Sequence, residues 1–97
     1  SKFPPVVRDI SFVVPKTFIA NNYFDPIRDI GGDLVEEVKL IDEYENEAKF
    51  GADKKSYTYR TTYRSLDRTL TNAEVNALHE KIEKATEETF GAEIRRV

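Results

Sequence analysis

Along Lys54-Lys55-Ser56-Tyr57-Thr58-Tyr59-Arg60-Thr61-Thr62-Tyr63-Arg64, two chemistries alternate. In an extended chain, successive side chains point to opposite faces. Ser56, Thr58, Arg60, Thr62 and Arg64 therefore form one row, and Tyr57, Tyr59, Thr61 and Tyr63 the other. The first row combines hydroxyls with guanidinium groups, which pair with phosphates, stack on flat rings and hydrogen-bond polar edges. Little else is equipped for chemistry. His79 is the one histidine, and its place at the edge of an apolar helical stripe fits a half-buried structural imidazole better than a catalytic one. With no cysteine there is neither a disulfide framework nor a thiolate metal site, and no calcium-loop spacing offers an all-oxygen one. Glu36-Glu37 and Glu87-Glu88 read as solvated surface pairs, and no serine or threonine stands beside a base as a nucleophile. No catalytic residue, metal ligand or cofactor is therefore assigned to these residues.

The elements that must hold the row follow from periodicity. Residues 6–14 alternate around Ile10, Phe12 and Val14 as a first strand, stopped by Pro15. Tyr23, Phe24, Ile27 and Ile30 share one arc of a short helix. Its start is capped by Asn22 or Asp25 with Pro26 in the first turn, and Gly31-Gly32 end it. Residues 34–44 make a second strand with Val38, Leu40 and Tyr44 inward and Lys39, Ile41 and Glu43 outward. Asp42 shares the inward parity and needs a partner there. The polar connection 45–53, turning at Gly51, is the expected mobile hairpin tip. The third strand runs over residues 54–66. Thr71 and Glu74 have the spacing of a capping box, with Leu70 and Val75 as its hydrophobic staple. They open a helix with Val75, Leu78, Ile82, Ala85, Thr86, Thr89 and Phe90 on its apolar face. Residues 92–96, with Ile94 inward, close the chain as a last strand.

The order βαββαβ predicts an α+β, ferredoxin-like domain with a four-stranded antiparallel sheet and two helices on one face. The other face is left open. Turning Arg60 and Arg64 toward the helices would cost several kcal/mol for each unpaired guanidinium. The tyrosines therefore face the core, and the open face presents the Ser/Thr/Arg row with Ser11, Val13, Lys39, Ile41 and Glu43. Residues 53–68 carry five cations against two acids, and residues 71–90 five glutamates against two lysines. One basic and one acidic side result, the basic one able to steer polyanions. The net charge of −3 argues against a non-specific nucleic-acid binder. Such an open face suits recognition of single-stranded RNA, packing on a neighbouring protein, or plain solvation.

At 97 residues, 39% hydrophobic and 34% charged, the chain is one globular domain spanning 1–97. No apolar run approaches the ~20 residues of a membrane span. The chain opens Ser-Lys-Phe-Pro-Pro and contains no methionine, which reads as a piece cut from a longer chain.

Two ferredoxin-like families do not fit. Acylphosphatases need a glycine-rich anion loop with an arginine after the first strand, where this chain has Pro15-Lys16-Thr17-Phe18-Ile19-Ala20. RNA-recognition motifs carry stacking aromatics after a Lys/Arg-Gly start, and Lys55-Ser56-Tyr57-Thr58-Tyr59 lacks the glycine. A different likeness runs through the whole chain. It comprises Phe3-Pro4-Pro5-Val6 with Arg8-Asp9-Ile10-Ser11-Phe12, Ile30-Gly31-Gly32-Asp33-Leu34-Val35-Glu36 and Val38-Lys39-Leu40-Ile41-Asp42. It continues through Tyr59-Arg60, Tyr63-Arg64, Arg68-Thr69-Leu70-Thr71 and Gly91-Ala92-Glu93-Ile94-Arg95. In order and spacing the chain resembles the ferredoxin-fold anticodon-binding (FDX-ACB) domain of phenylalanyl-tRNA synthetase. The wording is more like the single-chain mitochondrial type than the bacterial beta subunit. Pro26 departs from the aliphatic residue of that pattern.

The resemblance implies a module binding the anticodon region of phenylalanine tRNA. Its expected contacts are Arg60 and Arg64, with Ser56, Thr58, Thr62, Lys39 and Ser11 around them. Asp9 and Arg68, also matched, fit structural ion pairs as well as RNA contact. The parent implied is a class II phenylalanine–tRNA ligase of the mitochondrial matrix, using ATP and Mg2+, whose catalytic domain would be a partner in the same chain. The alternative is a non-catalytic protein-docking or dimerisation domain using the same open face.

Overall fold

Phe12, Tyr23, Tyr59 and Tyr63 are wholly enclosed, and the sheet and helices close around them. The computed structural model describes residues 3–95. Its elements are β1 (Val6–Pro15), α1 (Phe24–Gly31), β2 (Val35–Tyr44), α2 (Glu47–Phe50), β3 (Lys54–Tyr63), α3 (Asn72–Phe90) and β4 (Glu93–Ile94). The sheet is antiparallel throughout, in the order β2-β3-β1-β4. With α1 and α3 packed together on one face, this is the expected ferredoxin-like α+β fold.

The tyrosine face of β3 is the inner one. The ring of Tyr59 lies 5.9 Å from Phe12 with planes 6° apart, and 4.6 Å from Tyr23. Three of the core hydroxyls have polar neighbours. Tyr23 meets Thr86 Oγ1 at 2.7 Å, Tyr59 donates to the Ala20 carbonyl at 3.3 Å, and Tyr63 lies 3.3 Å from His79 Nδ1. Burial pushes the Tyr59 and Tyr63 hydroxyls up to about 12, so both stay neutral.

Helix α3 begins as its sequence dictates. Thr71 Oγ1 accepts from the Glu74 amide at 3.2 Å, and Glu74 Oε2 accepts from the Thr71 amide at 2.8 Å. Leu70 and Val75 are both buried in the core. Arg68 Nη1 braces the box, 2.6 Å and 2.8 Å from the two Glu74 carboxylate oxygens. On the apolar face Thr89 is exposed, whereas Glu83 is buried.

Several expected details are corrected. Neither Asn22 nor Asp25 caps α1, which continues directly from a 3-10 turn at Ala20–Tyr23 without a side-chain cap. β3 ends at Tyr63 rather than at residue 66. The connection 45–53 is not a bare hairpin tip but holds the helical turn α2, capped by Asn46 and closed by Gly51 at φ 100°. β4 is confined to Glu93–Ile94, and Arg96 lies outside the described residues.

The correction with most consequence is in β2. The register runs Leu40↔Tyr59 and then Asp42↔Thr58, so Ile41 is an extra residue in the strand. A bulge of this kind flips the parity of everything after it. Tyr44, expected inside, pairs with Ser56 on the open face, and Asp42 is turned out opposite Thr58. Glu43, expected on the open face, pairs with Tyr57 instead and holds Lys55 Nζ at 2.6 Å.

The braced capping box makes a pH-dependent prediction. Hydrogen bonds from Arg68, then from the Thr71 backbone, hold the Glu74 carboxyl down at about 2, against an ordinary 4.5. A depressed acid contributes stability that is complete above its unfolded value and lost as pH falls toward the folded one. Thr71→Ala should destabilise the fold by about 1 kcal/mol at neutral pH, measured by urea denaturation. Glu74→Gln should flatten the loss of stability between roughly pH 4.5 and 2. An unchanged acid limb would show that the brace does not matter.

Candidate nucleic-acid interface

The register lays the open face out as four rows, each crossing β1, β3 and β2 in turn: Val7–Thr62–Glu37, Asp9–Arg60–Lys39, Ser11–Thr58–Asp42 and Val13–Ser56–Tyr44. Successive rows are two residues apart on β1 and β3, about 6.7 Å along the strands. All seven residues expected to contact RNA are on or beside this grid, but their surroundings differ.

Arg60 is exposed and doubly bonded to Asp9, with Nε 2.9 Å from Oδ1 and Nη2 3.2 Å from Oδ2. Arg64, just past β3, is mostly covered, and its Nε lies 3.4 Å from Glu36 without making a hydrogen bond. Ser11 and Thr58 share a hydroxyl–hydroxyl bond of 2.8 Å. Thr62 is half-buried and Lys39 is exposed, with no ion pair to Lys39 among the described residues. Ser56 has the expected parity but is wholly buried, so it is not presented to solvent.

What covers Ser56 is a cluster that residue patterning did not single out. Arg95, just past β4, lies over the corner of the open face. Its Nη1 donates to the Tyr44 hydroxyl at 2.6 Å and to Ser56 Oγ at 3.0 Å. Its guanidinium lies 5.6 Å from the centre of the Tyr44 ring and 5.1 Å from that of Phe50. Contacts of this kind over an aromatic ring add a cation–π attraction. A cleft of about 240 Å³ opens here, lined by Val13, Lys49, Phe50, Lys54, Glu93 and Arg95. One signal was available in the sequence: Phe50 is the lone large apolar side chain in an otherwise polar connection. Tyr44 was hidden by the bulge, and Arg95 by the brevity of β4.

The basic stripe is therefore not a free one. Lys55, Arg60, Arg64 and Arg68 each have a carboxylate within ion-pair distance. Lys39, Lys49, Lys54 and Arg95 have none among the described residues, which moves the unneutralised charge toward the α2 corner. A wider groove of about 650 Å³ runs from Asp9, Ser11, Thr58 and Arg95 around β1 to Asn76 and His79 of α3. Among the described residues no three His, Asp or Glu side chains gather as a metal site, and no helix is long and apolar enough to cross a membrane.

An open sheet with arginine, hydroxyl and aromatic groups on one face and helices on the other defines a ferredoxin-like α+β domain. More specifically, the chain belongs to the ferredoxin-fold anticodon binding domain family, whose model matches residues 1–95. It is 43% identical over 95 residues to the chloroplastic/mitochondrial phenylalanine–tRNA ligase of Arabidopsis thaliana, covering 98% of this chain and 21% of that one. It is 41% identical over 96 residues to the mitochondrial enzyme of Rattus norvegicus, covering 98% and 20%. The beta subunit of phenylalanine–tRNA ligase from Clostridium tetani is 43% identical over 94 residues, covering 97% and 12%. The chain thus spans about a fifth of its organellar relatives, and identity does not separate them from the bacterial beta subunits.

The Arg95 seat is testable by stability alone. Ser56→Ala and Tyr44→Phe each remove one hydrogen bond to a charged group and should each cost about 1.5 kcal/mol in urea denaturation. Both act on one guanidinium, so the double variant should lose less than the sum. Strict additivity would mean that Arg95 is not held as described.

Proposed function

We propose that this domain binds the anticodon region of phenylalanine tRNA through its open sheet face, as part of a phenylalanine–tRNA ligase. The observation that carries the reading is the α2 corner. There a guanidinium is held against two aromatic rings beside a cleft with two lysines on its wall. Unpaired bases stack on such planes while lysines take the adjoining phosphates. Family membership and relatives named as phenylalanine–tRNA ligases support the same reading. Arg60, Thr58, Thr62, Lys39 and Ser11 would extend the contact along the rows, with Arg64 at the far end. Ser56 would act by seating Arg95.

The parent we propose is the single-chain organellar ligase of the mitochondrial matrix, on the Gly31-Gly32-Asp33-Leu34-Val35 and Tyr63-Arg64 wording. Its catalytic domain would use ATP, Mg2+ and phenylalanine. Docking of a protein on the open face is the weaker reading. Interface cores are depleted in charge, and here Asp9, Arg60 and Lys39 occupy the centre, with Val7 the exposed apolar side chain of the rows.

The test is a binding titration with phenylalanine tRNA and with the same tRNA carrying a replaced anticodon. The wild-type domain should prefer the former. Arg95→Ala should weaken that complex by about tenfold, the loss of one stacked base. Lys39→Ala should make its salt dependence shallower by about 0.7. Equal affinity of the wild type for both tRNAs would overturn the reading.

A further inference from the structure

Asp9 and Arg60 stand directly opposite each other in the second row of the open face, on the two central strands. The pair uses one side of the guanidinium fork, Nε and Nη2, for both carboxylate oxygens. The remaining Nη1 hydrogens and the outer hydrogen of Nη2 are left for a second acceptor in the same plane. Lys39, paired with Arg60 from the β2 side, repels it in that direction. Attraction on one flank and repulsion on the other hold the guanidinium toward β1.

Energy alone does not account for this arrangement. The Arg60 and Asp9 side chains are 49% and 44% exposed, and ion pairs at such exposure contribute little to stability. On a face that receives a polyanion, a central carboxylate is also repulsive. Its geometry is what it adds. We propose that Asp9 is a positioning residue for RNA recognition: it fixes Arg60 so that the free side of the fork meets a base edge or a phosphate in one orientation. The proposal rests on the reading of the open face as the anticodon-binding surface.

The consequence is a split that simple electrostatics does not give. Asp9→Asn removes a negative charge, so binding of RNA that Arg60 does not read should strengthen, with a salt dependence steeper by up to about 0.7, whereas the cognate complex loses the fixed fork. Discrimination should fall, because Arg60 is released. The probes are the anticodon stem-loop of phenylalanine tRNA and the same stem-loop with its anticodon replaced, titrated at several salt concentrations. In Asp9→Asn the ratio of the two affinities should drop by about tenfold, while binding of the replaced loop strengthens. Arg60→Lys keeps the charge without the fork and should lose the ratio by itself, and Asp9→Asn should add nothing in that background.

A purely structural role for the pair would scale both affinities by one factor. That outcome overturns the proposal, as does an unchanged ratio in Asp9→Asn or a further loss on top of Arg60→Lys. Failure of the underlying reading looks different: a wild-type domain that does not distinguish the two stem-loops removes both. A wild type that distinguishes them, with an indifferent Arg60→Lys, removes the Asp9–Arg60 pair from recognition and leaves the reading of the open face standing.

Discussion

Tyr57, Tyr59 and Tyr63 enter the core from one side of β3, and the guanidinium of Arg60 cannot enter with them. The alternation of an extended chain makes those two facts one. Placing three large rings against Phe12, Tyr23 and α3 obliges Ser56, Thr58, Arg60 and Thr62 to point the other way. Both strands that flank β3 then take their register from it, so the composition of the open face follows from the packing of the hidden one. A one-residue slip of β3 would turn the tyrosines into water and the arginines into the core.

What reaches the open face is not the simple basic surface that composition suggests. Cross-strand and near-strand carboxylates meet most of the cations of residues 53–68, and unpaired charge collects at Lys39 and at the α2 corner. This fits a chain with a net charge of −3. A face with few unpaired cations attracts phosphates weakly wherever they come from. Discrimination then has to arise from where donors and planes are fixed, not from how many positive charges are present.

The fold was legible because its signals are local. The capping box of Thr71 and Glu74, the alternation of β1 and β3 and the paired glycines at the end of α1 all act within a few residues. The bulge at Ile41 carries no such signal: nothing in Leu40-Ile41-Asp42 marks an extra residue, because the cause is the register against β3. That one residue decided the side on which Tyr44 and Asp42 lie. The partners of Arg60 and Arg64 were equally out of reach, since Asp9 and Glu36 meet them only once strands distant in sequence are paired. The parity of Ser56 was legible but its burial was not, because Arg95 covers it from across the chain.

The α2 corner shows why these long-range features matter together. Tyr44, Phe50, Ser56 and Arg95 come from four separate stretches of the chain, and each needs its own device to arrive. The bulge turns Tyr44 outward, and Gly51, at a φ of 100° that side-chain-bearing residues resist, returns the chain from Phe50 to β3. The short β4 is pinned by the Arg95 amide donating to the Ser11 carbonyl at 2.7 Å, which brings Arg95 over Ser56. A flexible side chain held by three residues has already lost much of its rotamer freedom before any ligand arrives. Ordering an arginine on binding commonly costs about 0.5–1.5 kcal/mol, and here the fold has met that cost in advance. The corner is thus a preorganised plane assembled by tertiary structure, and its quality as a binding surface depends on the same register that buries the tyrosines.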